Sequence, residues 1–217
     1  MLTDRVLFLT ITKCKDSLCI FESRFRENQM NIDQPLKDLG SIDYEPLRDA
    51  IINLDEDVWH ENETRQEIFD VHKKTSSLML VFCDGWPELK VKKEDAWDRL
   101  AKVAVPLMED VINKFYEPGG TIIRAMAAKL YAGERITPHV DKHPSFAIAH
   151  RIHIPITTNE HVRFTIAGRP YRLQLGRVYE VNNQSTHSVM NRGKDDRITF
   201  IFDYMPPEIR AKAKSLN

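Results

Sequence analysis

RIHIPI, residues 151–156, alternates without a break. On an extended chain Ile152, Ile154 and Ile156 point to one face, and Arg151 and His153 to the other. That is a strand with one apolar face and one face carrying donors and charge. The surrounding sequence repeats the pattern in short pieces. Upstream, Thr121–Tyr131 is a strand candidate that ends in a turn at Ala132-Gly133-Glu134. Downstream, Val162–Ala167 and Tyr171–Leu175 flank Gly168-Arg169-Pro170 as a hairpin. Arg177–Val181 and Arg197–Tyr204 follow as further strands. Many short strands at close spacing predict a sandwich or barrel, with the jelly roll among the natural solutions.

The first half of the chain reads differently. Tyr44–Leu54 has the look of a short helix, and Phe69–Phe82 contains SSLMLVF, a strand candidate. In Lys93–Tyr116 the residues Trp97, Leu100, Ala104, Leu107, Val111 and Phe115 recur at spacings of three and four. That is an amphipathic helix packed on a core. Pro106 predicts a kink or a break in it, and Pro118-Gly119-Gly120 ends it. MLTDRVLFLTITK at the start is too short an apolar run for a membrane span. Asp4 and Arg5 interrupt it and no small-residue cleavage site follows, so it reads as a buried strand. Pro206 and Pro207 open a short polar C-terminal helix.

The expected class is α+β. One domain spans 1–217: a mixed helix and strand part over 1–120, a strand-rich core over 121–205, and the terminal helix over 206–217. A chain of 217 residues supplies one good-sized core. A net charge of -1 gives no basic field for long nucleic acid, and no membrane segment is expected. Cys14, Cys19 and Cys83 are an odd, sparse set, read as reduced thiols of a cytoplasmic protein. Cys14 and Cys19, without nearby partners, make a poor zinc site.

Six of the eight histidines fall between positions 139 and 187. Within Thr137-Pro138-His139-Val140-Asp141, a His-x-Asp pair on an extended chain turns both side chains to one face. One imidazole nitrogen and one carboxylate oxygen can then meet a single ion. His187 begins a further strand candidate, after the polar loop Asn182–Thr186. Two histidines and one carboxylate form the facial triad of non-haem iron oxygenases, which leaves three coordination positions open. His-x-Asp alone is common by chance, and the plain alternative is a surface hydrogen-bonded pair.

Arg197 tips the balance. It shares a strand face with Thr199, Ile201 and Asp203, while Ile198, Phe200 and Phe202 take the other. An arginine on an inward face is costly unless an anion meets it, and its fork suits a carboxylate. With Arg151 and His153 on their own non-apolar face, the set can hold a dicarboxylic acid. The plain alternative for Arg151 is a solvated face.

GERITPHVD, HRIHIPI, YEVNNQSTHSVMN and RITFIFDY, in that order, resemble the aspartyl/asparaginyl β-hydroxylase-like group of 2-oxoglutarate oxygenases. The resemblance runs from about 121 to 205. It implies a double-stranded β-helix (a cupin-like jelly roll) with N-terminal helices packed on it. It implies Fe(II) on His139, Asp141 and His187 as the catalytic centre. Arg197 would take the distal carboxylate of the cosubstrate 2-oxoglutarate, assisted by Arg151 and His153. Some members lack the carboxylate ligand that this chain has as Asp141. A serine that helps bind the cosubstrate in some relatives falls near Ala128 here. The implied reaction uses O2, releases succinate and CO2, and hydroxylates an unactivated C–H bond. The expected substrate is small and amino-acid-like, or a peptidyl Asp/Asn-like residue; FDVHKKTSSLMLVF also resembles small members that act on free amino acids. Rival readings are a cupin-like metal-binding module without oxygenase activity, and an oxygenase of a nucleobase or other small metabolite.

Asn182, Asn183 and Asn191 are candidates to orient the ligating rings, with ordinary turn chemistry as the stronger alternative. His143 is a candidate substrate contact. Trp59, His60, Arg65 and His72 are candidates for a lid. His161, beside Glu160, reads as exposed.

Overall fold

The computed structural model describes residues 32–61, 74–86 and 88–209. The N-terminal strand expected over MLTDRVLFLTITK, with Cys14, Cys19, Arg65 and His72, lies outside these residues.

Eleven strands among them form two sheets, and every pairing is antiparallel. In chain order they are β1 (Leu36–Ser41), β2 (Thr75–Asp84), β3 (Lys90–Lys93), β4 (Thr121–Leu130), β5 (Arg135–His139) and β6 (His150–Thr157). There follow β7 (Val162–Ile166), β8 (Arg169–Tyr171), β9 (Arg177–Val181), β10 (His187–Asn191) and β11 (Arg197–Met205). The large sheet has the order β1-β9-β6-β11-β4-β2-β3, and the small sheet β5-β10-β7-β8. From β4 onward the chain crosses repeatedly between the sheets, which is the winding of a double-stranded β-helix. The N-terminal part contributes to the same sheet: β1 adds one edge, and β2 with β3 the other.

The alternation in RIHIPI is resolved as two environments. Ile152, Ile154 and Ile156 are fully buried against α1 (Glu45–Ile52) and α2 (Trp97–Phe115), beside Phe200 and Phe202 of β11. Each such isoleucine contributes roughly 2 kcal/mol of hydrophobic stabilisation. His153, from the opposite face, stacks on Phe164 of the small sheet at 5.7 Å. The helices therefore cover the outside of the large sheet, and the polar side chains lie between the sheets.

Two local expectations are corrected. Helix α2 runs through Pro106 without a break. Pro106 and Lys102, whose carbonyl loses its donor, both lie on the exposed face, where water can replace that bond. The hairpin turns earlier than expected: Ala167 and Gly168 form its two-residue loop with φ of 49° and 76°, so β8 begins at Arg169. Gly120 is required where the chain leaves α2. A Cβ there would meet the Met205 carbonyl at 2.2 Å, and its N–H donates to the Tyr204 hydroxyl at 2.8 Å. Residues 207–209 are helical, as the Pro-Pro start implies. No helix among the described residues is long and apolar enough to cross a membrane.

Candidate metal centre and cosubstrate cradle

Strands β5 and β10 pair so that His187 stands directly opposite His139, with ring centroids 4.3 Å apart. Asp141 follows two residues after His139, and its N–H donates to the Asn183 carbonyl at 3.3 Å. One ligand atom from each of the three residues lies within 4.8 Å of the others. Both rings are fixed alike. Nδ1 of His139 donates to the Thr137 carbonyl at 2.8 Å, and Nδ1 of His187 to the Ser185 carbonyl at 3.0 Å. A carbonyl only accepts, so each Nδ1 carries the hydrogen and each Nε2 presents a lone pair. Burial pushes the His187 pKa below the usual imidazole range, which keeps the ring in the neutral form a metal needs.

Backbone carbonyls, not asparagine side chains, orient these rings. Asn182 and Asn191 bond to turn and loop backbone: Asn182 to Gln184 and Ile32, Asn191 to Leu130, Tyr131 and Asp195. Asn182 shows the turn chemistry expected of it, whereas Asn191, buried at the end of β10, ties that strand to backbone 60 and 61 residues upstream.

Deeper between the sheets, three buried polar side chains lack a hydrogen-bond or ion-pair partner among the described residues. Arg197 opens β11, 5% exposed, and burial lowers its pKa to about 10. Thr199 follows on the same face with its hydroxyl unpaired. His153 has neither ring nitrogen paired. Burial first, then the charges of Arg151 and Arg197, hold its pKa well below the usual 6.5. Buried polar groups are rarely left so, and the Thr199 hydroxyl and the His153 ring, shut off from solvent, each cost about 1–3 kcal/mol until a partner arrives. The cluster fits an anionic, oxygen-rich guest, as 2-oxoglutarate is. Ala128 stands opposite Thr199 in the register.

Arg151 is placed otherwise than a reader of the sequence would guess. Its Nε and Nη2 donate to Asp203 at 2.9 and 3.1 Å, and Nη1 lies 2.8 Å from Asp141 Oδ2. Two protein carboxylates already meet its fork. Sequence reasoning left Asp203 and Arg124 without a role, although alternation along RITFIFDY puts Asp203 on the Arg197 face. His143 bonds to Ser145 and meets Trp86 edge-on at 6.4 Å, and it is not one of the three clustered ligand residues. His161 is exposed beside Glu160. Trp59 is buried beneath the Lys129 ammonium, so it is a core residue and not part of a lid.

The state of His153 gives a pH prediction for the metal-free protein. Its folded pKa is depressed, so the unfolded chain binds the proton more tightly. Stability is then intact above pH 6.5 and falls as pH drops below it, by about 1.4 kcal/mol per unit until the folded pKa is reached. Thermal melts between pH 7.5 and 5 should show at least this slope, to which His187, also depressed by burial, adds; His153→Gln should remove the His153 share and leave a shallower slope. An unchanged slope in that variant would place the titration elsewhere.

A profile described as aspartyl/asparaginyl beta-hydroxylase matches residues 43–207. A 2OG-Fe(II) oxygenase family oxidoreductase from Burkholderia pseudomallei has a similar structure, with a TM-score of 0.54 at 11% identity over 88% of this chain and 91% of that one. A prolyl-4-hydroxylase from Pseudomonas putida gives 0.46 at 10% identity, over 80% and 94%. No curated protein sequence matches. The jelly-roll fold and the matched family make this protein a 2-oxoglutarate-dependent non-haem iron hydroxylase, an enzyme of Fe(II), 2-oxoglutarate and O2. The chain belongs to the aspartyl/asparaginyl β-hydroxylase family.

Proposed function

We propose that the enzyme hydroxylates an unactivated C–H bond of a small amino-acid-like substrate or of a peptidyl Asp/Asn-like residue. His139, Asp141 and His187 hold the iron. Arg197 takes the distal carboxylate of 2-oxoglutarate, with His153 beside it. Thr199 supplies a hydroxyl in the register position next to Ala128, where some relatives carry serine. Arg151 acts at the cosubstrate through Asp141 and not as an open fork. The iron supplies the oxidising power for hydroxylation, with succinate and CO2 as coproducts. The protein's part is to orient the two acids and keep water away. We place this catalytic core at 121–205 within one domain of 1–217, in the cytoplasm, where Cys83 stays a thiol.

The observation that carries the reading is the set Arg197, Thr199 and His153, buried without a partner among the described residues, with His153 close enough to feel the charge of His187. The matched family supports the substrate class. Two measurements test it. Fe(II) and 2-oxoglutarate added without oxygen should give the visible metal-to-ligand charge-transfer band; a folded, iron-loaded protein without it would sink the assignment. Succinate release should then rise with a free amino acid or with an Asp/Asn peptide. Stimulation by a nucleobase alone would overturn the substrate class.

A further inference from the structure

Three charged side chains cross the large sheet in one row. Arg151 of β6 and Arg124 of β4 both stand opposite Asp203 of β11 in the register. All three are buried, Asp203 to 1% exposure. Such a row is weak evidence of stability, since apolar side chains of the same volume often do as well or better. What it does provide is geometry. Asp203 holds Arg151 by its Nε and Nη2 edge, which fixes the plane of the guanidinium. The remaining nitrogen, Nη1, then lies 2.8 Å from Oδ2 of Asp141, an ion pair in which neither N–H meets hydrogen-bond geometry with that oxygen. The other oxygen, Oδ1, faces His139 Nε2 at 3.8 Å.

Arg124 secures the row from behind. Its Nη1 donates to Asp203 at 3.4 Å, and its Nη2 to the Ser145 hydroxyl at 2.7 Å. Ser145 belongs to the 3-10 turn Pro144–Ala147 that follows Asp141 in the chain. Phe146 of that turn covers both guanidinium groups, at 4.2 Å from Arg124 and 4.5 Å from Arg151. Asp203 is thus joined to Asp141 twice: through Arg151 to its oxygen, and through Arg124 to the backbone that carries it.

We infer that Asp203 is a positioning residue: through Arg151 it holds Oδ2 of Asp141 aside, so that Asp141 offers a metal one oxygen and not two. This rests on the ligand assignment proposed above. A carboxylate that chelates with both oxygens takes a position the facial triad otherwise leaves open. The row therefore governs how well 2-oxoglutarate binds the loaded centre, more than whether the metal binds.

The test compares wild-type protein with Asp203→Asn and Asp203→Glu. Metal affinity is read by titrating metal-free protein with Mn(II). Cosubstrate affinity and the charge-transfer band are read without oxygen on the Fe(II)-loaded protein. In folded Asp203→Asn the band should move, and the 2-oxoglutarate Kd should rise on the order of tenfold. The Mn(II) Kd should change much less. Should Asp203→Asn fail to fold, Asp203→Glu keeps the buried charge but pushes Arg151 by one methylene, and the same split is expected at smaller size. A folded variant with wild-type band and 2-oxoglutarate Kd overturns the inference while leaving the ligand assignment standing. Equal loss of metal and cosubstrate affinity also overturns it. Absence of the band in wild-type protein removes the ligand assignment, and this inference with it.

Discussion

His187→Ala is expected to remove tight metal binding and to lower turnover by roughly 10³-fold or more, with the fold retained. The expectation follows from where the donor sits. His187 is opposite His139 across β5 and β10, and its ring is set by the Ser185 carbonyl so that Nε2 presents a lone pair toward the other two ligands. Alanine leaves His139 and Asp141, two ligands from one strand end, which cannot define a face of the coordination sphere. Water would fill the gap but bring no pre-set geometry. The fold should survive because β10 keeps its backbone ladder to both β5 and β7. Metal titration of the purified variant, with circular dichroism as the check on folding, decides the matter. His143→Ala is the control: it changes a neighbouring histidine outside the triad and should leave metal affinity near the wild-type value. Retained tight binding in His187→Ala would move the third ligand elsewhere.

What the sequence disclosed follows the range of the physics involved. Alternation is local, so RIHIPI and RITFIFDY showed which side chains face inward, Arg197 and His153 among them. His139 and Asp141 were legible as a pair for the same reason. Their meeting with His187 depends on the register of β5 against β10, which no local period encodes. The same limit hid the role of Asp203. Its face was readable, but its two arginine partners come from β4 and β6, far apart in the chain. Arg151 looked like a donor awaiting an acid because the carboxylates that meet it are long-range neighbours. The N-terminal strands gave a comparable surprise. SSLMLVF was a visible strand, yet only the pairing of β2 with β4 made it part of the sheet that carries the cradle. Pro106 misled in another way: the rule that it breaks a helix concerns a lost hydrogen bond, and that loss matters little on an exposed face.

Arg197→Met is expected to raise the Kd of 2-oxoglutarate by on the order of 10²–10³-fold while leaving metal affinity alone. The same change should raise the melting temperature of the metal-free protein, a sign opposite to that of most core substitutions. Both effects have one origin. Arg197 is a buried cation with no carboxylate partner among the described residues, and burial lowers its pKa to about 10. The protein without ligands carries the cost of that charge, and only an acid arriving between the sheets relieves it. Methionine keeps much of the volume and drops the charge, so the cavity penalty stays small while the desolvation cost disappears. Alanine would confuse the two, because it adds a cavity. Lysine keeps the charge but replaces a planar fork by a single point, and an intermediate loss of about tenfold in 2-oxoglutarate affinity is expected from it. Calorimetric titration of 2-oxoglutarate into Fe(II)-loaded protein without oxygen, alongside melts of the metal-free variants, reads both signs in one set of samples. Weaker cosubstrate binding together with a destabilised metal-free fold would make Arg197 a structural residue whose loss disturbs the pocket indirectly. Weaker binding with a stabilised fold is the mark of a site held ready, at a cost to stability, for its acid.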